Sequence, residues 1–189
     1  MHQDNWSLKA KKMGYRTRAV FKLEEILLKL HKNQINKVLD LGSAPGGWSQ
    51  FIINKYPNSK IIAVDILHME PIEGVQFIKK NIEDIDSIQL INSLKGKFDL
   101  VISDIAPNLT GISAVDNENI YELNKITINL ANIYLSEASS AVVIKTFQNS
   151  NFKSLKKEME LFFEIVQTYK PAASKNKSAE IYLYGEKPL

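Results

Sequence analysis

A lysine, Lys145, stands near the end of the otherwise apolar stretch Ala141-Val-Val-Ile-Lys-Thr-Phe147. The stretch is typical of a buried β-strand, where an ammonium group is unfavourable unless it is paired or has a chemical task. Polar or flexible residues also follow three other short apolar stretches: Asp65, Asp104 and the turn Gly42-Ser-Ala-Pro-Gly-Gly-Trp48. Side chains of these types could hold a cofactor and transfer a proton, if the fold brings them together.

Short apolar segments alternate with segments of helical periodicity along the chain. We predict strands at residues 37–42, 61–65, 75–79, 98–104, 141–147, 163–169 and 180–184. We predict helices at about 18–32, 47–56, 117–137 and 152–161. This alternation is typical of an α/β fold with a mostly parallel seven-stranded sheet and helices on both faces. Because no repeat or composition break interrupts it, we expect a single domain over residues 1–189.

The candidate residues should meet at one edge of this sheet. In a doubly wound sheet, ligands bind beyond the carboxyl ends of the strands. The glycine-rich turn, Asp65, Asp104 and Lys145 all stand at predicted carboxyl ends. Taken singly, each also has a simpler explanation, such as a tight turn, a solvated acid or a lysine that extends to solvent. Their convergence favours a binding site.

The turn at residues 42–48 indicates which cofactor would fit. It is not the dinucleotide fingerprint, because Ala44 stands where a second glycine would let the backbone approach a pyrophosphate. Pro45 also removes an amide donor. A nucleoside cofactor without phosphate fits better, and S-adenosylmethionine is the obvious one. Asp65 stands where an acid would bind the ribose hydroxyls.

Composition excludes several other classes of protein. The chain has 189 residues, a formal net charge of +3 and no cysteine, so disulfides and thiolate metal sites are excluded. The histidines His2, His31 and His68 are too scattered to suggest a zinc site. No apolar run approaches membrane-spanning length, and no signal-peptide pattern opens the sequence. We therefore expect neither a membrane nor a metal partner.

Basic residues are concentrated near the two ends of the sequence. The first two dozen residues contain Lys9, Lys11, Lys12, Arg16, Arg18 and Lys22, and the last twenty contain Lys170, Lys175 and Lys177. If the ends meet in the fold, they form a basic surface suited to phosphates. The alternative is a solvated lysine-rich face. We expect the basic segment at 1–17, with Arg18, to contact RNA phosphates.

Several motifs together resemble a known family. They are Gly14-Tyr-Arg-Thr-Arg-Ala-Val-Phe-Lys-Leu-Glu-Glu-Ile26, Asp40-Leu-Gly-Ser-Ala-Pro-Gly-Gly-Trp-Ser-Gln50, Ser103-Asp-Ile-Ala-Pro-Asn108 with Gly111, Val143-Ile-Lys-Thr-Phe-Gln148 and Ser178-Ala-Glu180. They are similar to the FtsJ/RrmJ family of S-adenosylmethionine-dependent 2′-O-ribose methyltransferases, which includes the ribosomal RNA large subunit methyltransferase E group. The resemblance covers nearly the whole chain and implies a Rossmann-like methyltransferase fold.

The resemblance also implies the site residues. A catalytic tetrad would consist of Lys22, Asp104, Lys145 and Glu180. The cofactor S-adenosylmethionine would be bound by Gly42, Ser43, Ala44, Pro45, Gly46, Gly47, Trp48, Asp65, Asn81 and Asp104. Two positions depart from the family pattern. Asn81 replaces an aspartate near the adenine, where an amide can still accept or donate, and Ser139-Ser140 replaces a glycine pair.

The implied reaction gives Lys145 two alternative tasks. A ribose hydroxyl is a poor nucleophile until its proton is removed, and a neutral lysine amine could take that proton. Burial and a second cation such as Lys22 favour a neutral amine, whereas Asp104 and Glu180 favour the ammonium form. Alternatively, Lys145 stays charged and positions the hydroxyl. The turn Asp104-Ile-Ala-Pro107 lacks the aromatic residue on which a flipped base would stack, so a ribose target is favoured over a base.

We expect the substrate to be large-subunit ribosomal RNA, modified at a uridine ribose and bound as naked RNA or as the large ribosomal subunit. The alternatives are 2′-O-methylation of a tRNA or an mRNA cap, or a catalytically silent RNA-binding relative. The intact tetrad weighs against the silent relative. We expect a monomer that works in the cytoplasm of a bacterium, or in a mitochondrion or other organelle of a eukaryote.

Overall fold

The structure is a computed structural model that describes residues 5–32, 34–137, 139–174 and 178–189. Its helices are α1 Asn5–Lys12, α2 Ala19–Lys29, α3 Gly47–Lys55, α4 Gln89–Asn92, α5 Ser113–Tyr134 and α6 Phe152–Met159, with a 3₁₀ turn at Ile82–Ser87. Its strands are β1 Lys37–Leu41, β2 Lys60–Asp65, β3 Val75–Lys79, β4 Leu100–Ser103, β5 Ala141–Phe147, β6 Phe163–Tyr169 and β7 Glu180–Pro188. His2, Lys175 and Lys177, which entered the predictions, lie outside the described residues.

The strands form one mostly parallel sheet in the order β3-β2-β1-β4-β5-β7-β6. Within the group β1 to β5, each strand is parallel to its neighbours in the sheet. Strand β7 is antiparallel to both β5 and β6. The predicted α/β fold with a mostly parallel seven-stranded sheet is therefore confirmed. Because β4 and β5 are adjacent and parallel, the residues that follow Ser103 and Ile144 come out side by side at one edge.

Apolar side chains of the central strands alternate between two cores, as the pleat of a strand requires. Val38, Leu100 and Val143 pack beneath α2 and α3 on one face. On the other face, Leu39 and Val142 pack with residues of α5 and α6. The helices thus cover both faces, which explains why the strands are continuous apolar runs in the sequence.

The sequence patterns missed helices α1 and α4 and the 3₁₀ turn, shortened β7, and placed α5 at 117–137, a few residues too late. Helix α1 is short and mostly polar, so its periodicity is weak. Its buried residue Ala10 and its half-buried Trp6 pack on the core beside Phe21 of α2. Tertiary packing therefore stabilises this segment, because an isolated helix of eight residues would be marginal in water.

The loop between β1 and α3 has a conformation that its glycines allow. Gly42 and Gly46 have φ angles of 72° and 101°, in the left-handed region that favours glycine. A Cβ atom on Gly42 would lie 2.6 Å from Cβ of Ile105, so the loop after β4 approaches this backbone closely. In the part of the chain that the structure describes, no helix is long and apolar enough to cross a membrane.

Candidate active site

The lysine at the end of β5 pairs with the acid that follows β4. Lys145 Nζ lies 3.0 Å from Asp104 Oδ1, and it donates a hydrogen bond to the main-chain oxygen of the same residue at 2.5 Å. Both side chains are largely buried, with 11% and 27% of their surfaces exposed. The parallel register of β4 and β5 brings the two residues together. A lysine is tolerated on this apolar strand because its ammonium group is paired with the carboxylate of Asp104.

A second ion pair joins helix α2 to the start of β7. Lys22 Nζ lies 2.6 Å from Glu180 Oε1, and Ser174 Oγ donates to the same oxygen at 3.2 Å. Burial would raise the pKa of Glu180, but the hydrogen bond and charge of Lys22, with a contribution from Lys145, hold it below its usual value. Glu180 is therefore a carboxylate near neutral pH. Lys22 itself is buried, at 6% exposure.

Tyr182 links the two ion pairs and was not among the predicted site residues. Its hydroxyl lies 3.4 Å from Asp104 Oδ1 and 3.3 Å from Glu180 Oε1, and with one proton it can donate to one of them at a time. Burial, followed by the charges of the two acids, raises the pKa of Tyr182 well above its usual value, so the hydroxyl stays protonated. The available signal was strand periodicity, which puts Tyr182 on the same face of β7 as Glu180, but its pairing with Lys145 depends on the register of the completed sheet.

A pocket of about 470 Å³ opens beside this cluster. Its lining includes five predicted cofactor residues: Gly42, Ala44, Asp65, Asn81 and Asp104. The remaining lining comes from the loops after β2 and β4 and from the 3₁₀ turn: Ile66, Leu67, Ile82, Glu83, Ile105, Ala106, Pro107 and Asn108, together with Leu123 of α5. Apolar walls with a few carboxylate and amide groups suit a nucleoside.

Two of these cofactor candidates also hold the backbone of the pocket. The carboxylate of Asp65 accepts one hydrogen bond from Ala44 N and another from Leu67 N, each at 2.8 Å. Asn81 Oδ1 accepts from Glu83 N at 3.2 Å and so caps the 3₁₀ turn. Each oxygen has a further lone pair that can accept from a ligand.

A smaller cavity of about 100 Å³ shares Gly42, Ala44 and Asp104 with the larger pocket as lining residues. Its lining also includes Asp40, which was not a predicted site residue, and the predicted residues Ser43, Pro45, Gly47 and Trp48. The Trp48 indole donates to Ala19 O at 2.9 Å, and its ring lies 5.9 Å from the ring of Tyr182.

Asp40 and Ser43 carry buried polar atoms without partners among the described residues. One carboxylate oxygen of Asp40 accepts from Ser49 Oγ at 2.6 Å, but the other, like the Ser43 hydroxyl, has no hydrogen-bond partner there. Burial, opposed by the Ser49 hydrogen bond and reinforced by nearby acids, raises the pKa of Asp40 to about 7. An acid in the middle of the apolar strand Lys37-Val-Leu-Asp-Leu41 was the available signal. Buried polar atoms are rarely left unpaired, so these two point to a polar ligand group.

Comparison with known proteins decides the family. The model of the FtsJ-like methyltransferase family matches residues 15–187. The chain belongs to the FtsJ-like methyltransferases. A relative from Polynucleobacter asymbioticus, named ribosomal RNA large subunit methyltransferase E, is 36% identical over 94% of this chain and 88% of its own.

Solved structures agree with this FtsJ-like assignment. A Plasmodium falciparum protein described as a ribosomal RNA methyltransferase superposes with a TM-score of 0.76 at 31% identity, over 93% of this chain and 99% of that one. A Burkholderia thailandensis N1-methyltransferase with bound S-adenosylhomocysteine is only 14% identical, at a TM-score of 0.63 over 89% of this chain and 78% of that one, and it shows the fold alone. The predicted family, Rossmann-like fold, methyltransferase class and S-adenosylmethionine cofactor are thereby confirmed.

The basic residues of this FtsJ-like methyltransferase are not equivalent. Lys11 and Lys12 are exposed at the end of α1. Lys9 Nζ lies 4.5 Å from the centre of the Phe21 ring and 5.3 Å from that of Trp6.

The two arginines lie outside α1. Arg16 donates to main-chain carbonyls, and Arg18 directly precedes α2. Near the other end of the chain, Lys170 Nζ donates to Ser178 O at 2.8 Å. Contact of these residues with RNA stays a prediction.

Proposed function

We propose that this FtsJ-like methyltransferase transfers a methyl group from S-adenosylmethionine to the 2′-hydroxyl of a uridine in large-subunit ribosomal RNA, and that it acts as a monomer. The observation that carries the proposal is the paired arrangement of Lys145 with Asp104 and Lys22 with Glu180, linked by Tyr182 beside a nucleoside-sized pocket. The names of the relatives from Polynucleobacter and Plasmodium support the RNA substrate.

The residues of both cavities fit the cofactor. The larger pocket offers Asp65 for ribose hydroxyls and Asn81 for the base. The smaller cavity offers the unpaired oxygens of Asp40 and Ser43. These oxygens can accept hydrogen bonds from the α-ammonium group of the cofactor, and the Asp40 carboxylate can also pair with its charge. Asp104 borders both cavities, so a ligand that fills them lies next to the ion pair of Asp104 with Lys145. When bound, S-adenosylmethionine supplies an activated methyl group on a sulfonium.

Lys145 is the residue that we assign as acceptor of the hydroxyl proton. The ammonium of Lys145 must first release its own proton to solvent, and the neutral amine that results has two N–H groups and one lone pair. Two N–H groups satisfy the contacts with Asp104 O and Oδ1, and the lone pair remains for the hydroxyl. Lys22 and Glu180 form the other ion pair, which Ser174 and the Tyr182 hydroxyl also contact through Glu180, and we assign this pair to binding the target ribose.

The test is methyl transfer from labelled S-adenosylmethionine to large ribosomal subunits from cells that lack the protein, with free ribosomal RNA, tRNA and capped mRNA in parallel. We expect the label in large-subunit RNA and in an alkali-resistant dinucleotide, because a 2′-O-methyl group blocks hydrolysis of the adjacent bond. Label in tRNA or a cap alone would reassign the substrate. Label that alkali releases only in mononucleotides would exclude ribose methylation.

The substrate also implies where the enzyme works. A ribosomal RNA methyltransferase acts wherever its ribosomal subunit is assembled, in the cytoplasm of a bacterium or inside an organelle of a eukaryote. Tagged protein should co-sediment with large-subunit particles in a sucrose gradient of the cell or organelle extract. Sedimentation of the purified protein at a mass near 21.4 kDa would support the monomer.

A further inference from the structure

Arg16 makes contacts that differ from those of the other basic residues near the start of the chain. It lies in the connection between α1 and α2. Its Nη1 donates to Pro45 O at 2.9 Å and to Glu70 O at 2.8 Å, and its Nη2 donates to Pro71 O at 2.8 Å. One guanidinium thus joins the glycine-rich loop after β1 to the loop after β2.

The backbone around Arg16 is fixed as well. Arg16 N donates to Gln50 Oε1 at 2.9 Å, and Gln50 Nε2 donates to Gly14 O at 2.9 Å. Gln50 lies on α3, whose first turn follows the glycine-rich loop directly. The side chain of Arg16 therefore starts from a main chain that is already tied to the element it helps to position.

The connection packs directly on the glycine-rich loop. A Cβ atom on Gly46 would lie 3.0 Å from Arg16 Nη1, and one on Gly47 would lie 2.2 Å from Thr17 Oγ1. Thr17 also lines the small cavity that contains Asp40. The segment therefore contributes Thr17 to the wall of the proposed cofactor site, while Arg16 holds the loop that forms the rest of that wall.

The place of Arg16 in a basic segment suggests a phosphate ligand. We propose instead that Arg16 is a positioning residue for the cofactor loop. Three of its N–H groups are already donated to carbonyl oxygens from two loops, and a planar guanidinium can make such forked contacts where an ammonium cannot. Without it, the loop that presents Ser43 and Gly47 to the cofactor loses its link to residues 70–71. This inference rests on the proposed function, in which S-adenosylmethionine binds in the two cavities beside this loop.

The experiment compares two variants of Arg16 with a control in the same basic segment. Calorimetry measures the Kd of S-adenosylhomocysteine for the wild type, Arg16→Gln, Arg16→Lys and Lys12→Gln. A large-subunit rRNA transcript serves to measure the salt dependence of RNA binding. Lys12 is the matched control because it is exposed and belongs to the same predicted RNA-binding segment. Wild-type protein that does not bind S-adenosylhomocysteine would contradict the proposed function itself.

We expect both Arg16 variants to bind S-adenosylhomocysteine at least about tenfold more weakly, the effect of losing one charge-assisted hydrogen bond. In turnover, the KM for S-adenosylmethionine should rise by a similar factor while kcat at saturating cofactor stays within about threefold, because loop order affects binding before chemistry. The salt slope of RNA binding should match wild type. Lys12→Gln should show the opposite pattern: an unchanged Kd for the cofactor product and a flatter salt slope.

An Arg16→Gln protein with wild-type affinity for S-adenosylhomocysteine and a flatter salt slope would overturn the inference and make Arg16 a phosphate ligand. If Arg16→Gln does not fold, as judged by circular dichroism, Arg16→Lys decides, since it keeps the charge and the aliphatic stem. A folded Arg16→Lys with a Kd within about twofold of wild type would also overturn it, because lysine cannot reproduce the forked contacts.

Discussion

Lys145 contacts two atoms of Asp104: its Nζ lies 3.0 Å from the carboxylate Oδ1 and 2.5 Å from the main-chain oxygen. The main-chain contact fixes the amine relative to the end of β4, and the carboxylate contact fixes its rotation. A single remaining direction on the nitrogen is then available to a substrate. This geometry gives the lysine a defined orientation before any ligand binds.

We predict that Lys145→Ala lowers single-turnover methyl transfer by at least about 10²-fold while the Kd of S-adenosylhomocysteine stays within a few-fold of wild type. Lys145→Arg should fail almost as badly, because a guanidinium keeps its proton at working pH. The measurement uses saturating RNA and cofactor. Lys153→Arg, an exposed lysine of α6, is the control. Substantial activity of Lys145→Arg would mean that the residue positions the hydroxyl and that the proton leaves by another route.

The cluster of lysines on α1 should divide into two functions. Lys11 and Lys12 are exposed, so replacing both by glutamine should weaken RNA binding and lower the salt slope by about one for each phosphate that is no longer neutralised. Lys9 lies over two aromatic rings, and Lys9→Gln should cost about 0.5–1 kcal/mol of stability with a smaller change in slope. Thermal unfolding and filter binding at several salt concentrations separate the two effects. Equal salt slopes for the double variant and wild type would place the RNA-binding surface elsewhere.

The serine pair before β5 offers a stability test with an internal control. Ser139 has a φ angle of 55°, which costs a residue with a Cβ atom about 1–2 kcal/mol, so Ser139→Gly should stabilise the protein by about 1 kcal/mol. Its Tm should rise by about 2–4 °C. Ser140 is buried, and its hydroxyl donates to Ser136 O, so Ser140→Gly should destabilise. A lower Tm for Ser139→Gly would show that its side chain makes a stabilising contact.

Much of the fold and the meeting of Asp104 with Lys145 could be predicted because both depend on local patterns, whereas Lys22 and Glu180 were selected only through the family resemblance. Short apolar runs define the strands, and parallel strands put their carboxyl ends at one edge, so Asp104 and Lys145 had to be neighbours once β4 and β5 were adjacent. The glycine-rich turn was recognisable because its backbone requires glycine at Gly42 and Gly46. These features need no knowledge of distant contacts.

The contacts that sequence patterns could not supply are those between residues far apart in the chain. Arg16 looks like any other member of a basic segment, but its acceptors lie 29, 54 and 55 residues away. Tyr182 looks like a core aromatic residue of β7, and only the meeting of Asp104 with Glu180 gives its hydroxyl a role. Charge and periodicity report what a side chain is, whereas its partner depends on the completed fold.

The buried acid of β1 should make cofactor binding depend on pH. Burial raises the pKa of Asp40 to about 7, so its folded-state pKa lies above the ordinary value of 3.8. For an acid, this sign means that the protonated form is favoured in the folded protein, and that stability of the unliganded protein falls as pH rises from about 4 to about 7. A ligand ammonium placed against the unpaired oxygen would favour the carboxylate, so binding should expel the proton.

At about pH 6 only about one in ten unliganded molecules would carry an ionised Asp40, so S-adenosylhomocysteine should bind about tenfold more weakly there than at about pH 8. Calorimetry at the lower pH, in buffers that differ in ionisation enthalpy, should show release of nearly one proton per ligand bound. Asp40→Asn is the matched variant, because the amide oxygen can still accept from Ser49 but cannot titrate. It should bind weakly at both pH values and release no proton. A wild-type Kd that is the same at both pH values, or an Asp40→Asn protein that keeps the wild-type pH dependence, would remove Asp40 from the cofactor site and leave the small cavity to another group.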